Sequence, residues 1–126
     1  MTEVERARTR VFARLRGGRG RGETRTVSFG AAATVGGRLT RVYGAGLAGR
    51  ELRVVARPSR VAVGAPAVEA VRTGEEGAFE LRLPAGVSRR ISVNFAGDGA
   101  LQPSTRRPLE LRVRSGVSLR ADRTRL

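Results

Sequence analysis

The chain has 126 residues, room for one domain with some flanking material, and carries 25 basic against 11 acidic side chains for a net charge of +14. Every basic residue is Arg, and neither His nor Cys occurs. These absences remove disulfides, the usual ligands of zinc, copper and haem, Ser–His and Ser–Lys nucleophiles and lysine Schiff bases. Arg is too basic to accept a proton, so only Asp and Glu remain as ordinary acid–base groups.

The hydrophobic fraction is 40% and the aromatic fraction 4%, so a core must be assembled from Val, Leu, Ile, Ala and four Phe. No apolar run approaches the length of a bilayer crossing. The start, Met1-Thr2-Glu3-Val4-Glu5-Arg6, lacks the pattern of a signal peptide. The charge invites a nucleic-acid or anionic-surface reading. Exclusive use of Arg beside abundant Ala, Gly and Val is also what a GC-rich genome would write.

Residues 1–24 read as a basic Arg/Gly-rich segment, partly strand or flexible. Within it Val11, Ala13 and Leu15 alternate, which predicts a strand over Thr9 to Arg16, with a basic helix over residues 3–16 as the alternative. Arg16-Gly17-Gly18-Arg19-Gly20-Arg21-Gly22 reads as a flexible loop. Thr26 to Phe29 follows as a short strand with Val27 and Phe29 inward. Ala33, Val35, Gly37 and Leu39 alternate next, and Val42 to Gly46 carries turn signals.

Leu52, Val54 and Ala56 define a further strand that Pro58 ends, because proline supplies no ladder donor. Val61 to Pro66 is a loop or edge piece, and Val68 to Arg72 a weaker strand. After the turn at Thr73 to Gly77 come two strong alternations, Phe79, Leu81 and Leu83, then Ile91, Val93 and Phe95, separated by Pro84-Ala85-Gly86. Leu109, Leu111 and Val113 supply the last. About seven short strands with no credible helix predict an all-β fold, a two-sheet antiparallel sandwich over residues 25–115. Val117-Ser118-Leu119 with Ala121 and Thr124 echoes Val27-Ser28-Phe29 with Ala31 and Thr34. Residues 116–126 are therefore expected to be a final strand or the start of a following repeat.

Four segments taken together, Gly46-Leu47-Ala48-Gly49-Arg50-Glu51-Leu52, Gly77-Ala78-Phe79, Leu83-Pro84-Ala85-Gly86 and Phe95-Ala96-Gly97-Asp98-Gly99, resemble bacterial immunoglobulin-like repeats and the related prealbumin-like, carboxypeptidase-regulatory-like sandwiches. The resemblance covers about residues 25 to 120. It implies a spacer, adhesion or interaction unit in an exported multi-domain protein, with neighbouring modules or surface proteins as partners and an extracytoplasmic location. No catalytic residue, metal or cofactor is expected.

Asp98, between Gly97 and Gly99, is a candidate ligand-loop residue, although an Asp there is also ordinary turn chemistry. Glu75 and Tyr43 are the other candidates on loops. Glu75 and Glu76 are adjacent in a turn and diverge, unlike the paired carboxylates of glycoside chemistry. A polyanion-binding alternative rests on Arg16, Arg19, Arg21 and Arg25 with the outward strand residues Arg53, Arg57, Arg82, Arg112 and Arg114. Glu51, Glu80 and Glu110 share those faces, which also fits cross-strand pairing. A third reading, a carbohydrate-binding module, needs exposed rings, and Phe12 and Tyr43 are the ones available.

Overall fold

A computed structural model describes residues 6–59 and 66–114. They form eight strands: β1 (Thr9–Arg16), β2 (Thr24–Ser28), β3 (Ala33–Arg41), β4 (Glu51–Pro58), β5 (Ala67–Arg72), β6 (Ala78–Leu83), β7 (Arg89–Phe95) and β8 (Ser104–Arg114). The first sheet has the order β1-β3-β6 and the second β2-β8-β7-β4-β5. The fold is all-β, as the alternation predicts. The expected segments Val61 to Ala65 and 116–126 lie outside the described residues.

Side chains alternate across a strand, and the burial follows that parity closely. In β1 Val11, Ala13 and Leu15 are buried while Arg10, Phe12, Arg14 and Arg16 are exposed. Val35 and Leu39 from β3 and Phe79 and Leu83 from β6 complete the inner face of the first sheet. They share one core with Leu52 and Val54, Ile91, Val93 and Phe95, and Leu109 and Leu111 of the second. β1 therefore belongs to the sandwich, which takes in residues before position 25. Gly37 lets β1 approach so closely, since a Cβ there would lie 1.7 Å from the Phe12 carbonyl oxygen.

Three expectations need correction. The sheets are not wholly antiparallel: β2 runs parallel to β8, from Thr24 opposite Glu110 to Ser28 opposite Arg114. The cause is the glycine segment, which reverses the chain twice. Arg19 first pairs antiparallel with Thr26, and a second turn, closed by the Thr24 N–H donating to the Arg21 carbonyl, restores the original direction. That segment is also packed rather than free of contacts. Gly18 and Gly20 lie so close to the Thr26 and Thr24 carbonyls that a Cβ would sit 2.0 and 2.1 Å from them.

The third correction is Phe29, which is 71% exposed instead of inward. β2 ends at Ser28, where the Ala31 N–H donates to the Ser28 carbonyl, so the strand parity does not carry on to the next residue. In β8 the strand extends further toward the N-terminus than Leu109. Its pairing with β7 shifts register between Ile91 and Val93, and Pro108, with no N–H to give, falls in the irregular stretch.

Candidate functional site

The loops carrying Tyr43, Glu75 and Asp98 gather at one end of the sandwich. The strand ends meet there by necessity: β1, β4, β6 and β8 start at this end, while β3, β5 and β7 finish at it. The Val42 N–H donates to the Arg8 carbonyl, the Gln102 N–H to Ala7 and the Ala7 N–H to Ala100, stitching three loops across the end.

Thr73 lies at the centre of this network. It is buried, its hydroxyl donates to the Leu47 carbonyl at 2.5 Å, and the same oxygen accepts the Arg50 N–H at 2.9 Å. Its own N–H reaches the Arg50 carbonyl, and its carbonyl takes the Gly49 N–H. Arg50 extends from this anchor to donate to Asp98 Oδ2 at 2.6 Å. Neither Thr73 nor Arg50 stands out in the sequence; they are recognised only once the loops are seen together.

Asp98 is the turn residue its glycine neighbours imply. Oδ1 accepts the backbone N–H groups of Ala100 and Leu101 at 2.8 and 2.9 Å. These bonds, aided by the Arg50 and Arg6 guanidinium charges, hold its carboxyl below the ordinary carboxylate range against an opposing desolvation. Asp98→Asn is expected to lower thermal stability less than Asp98→Ala, since the amide oxygen can keep the turn while only the charge is lost. A group whose folded pKa is depressed stabilises above its unfolded pKa and loses that effect as pH falls. The gap in Tm between the parent chain and Asp98→Asn should therefore be full above about pH 5 and close as pH drops from about 4 through the lowered folded value. Thermal scans across that range check both statements.

Glu75 and Glu76 form a single 3-10 turn ending at Gly77, and both are exposed. Glu76 adopts a left-handed φ of 55°, and its carbonyl accepts two N–H groups of Arg38, at 3.2 and 3.1 Å. Tyr43 is fully exposed beside a depression lined by Arg6, Ala7, Arg8, Val42 and Gln102. Among the described residues no three His, Cys, Asp or Glu side chains come together.

Of the arginines proposed for polyanions, Arg16 stands on the outer face of β1 and pairs with Glu80 at 2.9 Å. Arg19 and Arg21 are exposed on the glycine loop. Arg25 is half-buried and directed inward, its guanidinium donating to the Leu15 and Gly20 carbonyls, so it ties that loop down. Of the acids on the outward faces, Glu80 pairs not with one of the arginines expected for it but with Arg16, across the intervening strand β3. Glu110 pairs within its own strand with Arg112 at 3.2 Å. Exposed pairs like these stabilise by roughly 1 kcal/mol at most.

An open trough of about 780 Å3 lies on the outside of the first sheet. Gly36 forms part of its floor, and Phe12, Arg14, Arg16, Arg38 and Glu80 stand around it. The sequence points to the Arg residues of β1, but only the register of β3 and β6 brings Arg38, Glu80 and the side-chain-free Gly36 to the same face. No protein-family model, curated protein or solved structure matches the chain.

Proposed function

We propose that the chain is a non-catalytic, immunoglobulin-like (prealbumin-like) sandwich module, acting as a structural spacer or as an adhesion and interaction unit of a larger bacterial surface or secreted protein. The observation that carries this is the bonded loop end. Thr73, Arg50 and Asp98 fasten three connections, β3–β4, β5–β6 and β7–β8, onto one frame, which is the arrangement a presenting scaffold needs. The lack of His, Cys and Lys agrees with a role that performs no chemistry. Fractionation of the source cells with an antibody to the full protein tests the reading. Recovery outside the cytoplasm, with loss on treating intact cells with protease, is the expected result; retention in the cytoplasm would overturn it.

A second reading, polyanion binding, is favoured by one specific observation. The outer face of the β1-β3-β6 sheet carries Arg10, Arg14, Arg16, Arg38 and Arg82 against the single acid Glu80. Such a field attracts anions in proportion to its excess charge.

A further inference from the structure

We propose that the outer face of the β1-β3-β6 sheet binds single-stranded nucleic acid, with phosphates on its arginines and a base on Phe12. The proposal rests on the polyanion reading and adds the ligand class and the site. Alternation places Arg10, Phe12, Arg14 and Arg16 in one line along β1, at intervals of about 6.6 Å, two strand residues each. A stretched polynucleotide offers the matching order of repeating charges and rings.

Phe12 separates a nucleic acid from other polyanions. It is 49% exposed in the middle of the basic face, where an apolar ring gains nothing from burial in the core. Opposite it across the β1–β3 register is Arg38, and the Arg10 guanidinium lies 5.7 Å from the ring centroid. A base placed on this ring meets a π face and a flanking planar cation at once. Both contacts tolerate any base, whereas a sulfated glycan has no planar aromatic ring to stack on Phe12 and the guanidinium. The open trough, with Gly36 in its floor, admits an extended strand.

The face also holds its own competitor. The Arg16 guanidinium lies across Gly36, whose Cβ would be 2.9 Å from Nη2, to reach Glu80 on the far side of β3. Arg10, Arg14 and Arg82 make no ion pair among the described residues. Removing the Glu80 charge releases Arg16 and takes away the one repulsive group on the face.

Fluorescence anisotropy with labelled oligothymidylate tests the proposal, with a duplex and heparin as comparison ligands. Four or five neutralised phosphates give a slope of log affinity against log salt of about −3, at roughly 0.7 per phosphate for single strands. Arg14→Gln should reduce that slope by about 0.7. Phe12→Ala should weaken binding at least about 5-fold and leave the slope unchanged. Glu80→Gln should tighten binding. If Phe12→Ala fails to fold, Phe12→Leu keeps the apolar bulk without the ring and is expected to show the same loss. Binding of heparin without oligothymidylate, or an unchanged affinity on loss of the ring, overturns the nucleic-acid proposal and leaves the polyanion reading standing. Absence of binding to any of these at low salt overturns both.

Discussion

Gly77→Ala is expected to destabilise the sandwich by about 3–4 kcal/mol, lowering Tm by roughly 15 °C. Two effects combine at this position. Its backbone has φ of +80°, in the left-handed region where a side chain is strained, and a Cβ would lie 2.1 Å from the Leu39 carbonyl oxygen and 2.8 Å from the Leu47 nitrogen. Those two atoms are bonded to each other, Leu47 N–H donating to Leu39 carbonyl at 2.9 Å, so neither can retreat without opening the link between β3 and the following loop. The loss is a large part of the stability of a domain this size. Thermal or urea unfolding of the variant measures it, and a change within 1 kcal/mol would show that the turn relaxes freely.

Thr73→Val is expected to cost about 3 kcal/mol, whereas Thr73→Ser stays within about 1 kcal/mol of the parent. Valine matches the shape of threonine but can neither donate to the Leu47 carbonyl nor accept the Arg50 N–H. Both backbone groups then lack a partner next to a buried residue, and each such loss costs about 1–3 kcal/mol. Serine keeps the hydroxyl and gives up only a methyl. Because Arg50 carries the reach to Asp98, the valine variant should also loosen the Gly97–Leu101 turn. Faster amide exchange at Ala100 and Leu101, measured beside the stability, would report this coupling.

Thr73→Val acts on the loop end alone, whereas Gly77 adjoins Glu76, whose carbonyl holds Arg38 of the proposed nucleic-acid face. Thr73→Val and Phe12→Ala are therefore the pair that separates the proposed scaffold role from the proposed binding role. A stably folded Phe12→Ala chain retains the presenting frame, and a Thr73→Val chain at low temperature retains the basic face.

Whatever depends on near neighbours is legible in the order of residues alone. The period-two rhythm of Val11 to Leu15, Phe79 to Leu83 and Ile91 to Phe95 determined the strands and the face each buries, because adjacent side chains must point in opposite directions. The Asp98 turn was legible for the same reason, since its partners Ala100 and Leu101 follow within three residues. Phe29 shows the limit: parity says nothing once a strand has ended, and at Ser28 the chain turns, the Ala31 N–H donating to the Ser28 carbonyl.

Features that join distant residues needed the tertiary structure. A glycine-rich run looks alike whether it turns the chain once or twice, so the parallel entry of β2 was decided by its contact with β8. Thr73 became the anchor of the loop end only because β3, β4 and β5 bring Leu47 and Arg50 to its hydroxyl. The composition already established a highly basic chain without His, Cys or Lys. Sheet register alone placed Arg38 opposite Phe12 and Glu80 opposite Gly36, turning dispersed charge into a surface with a shape.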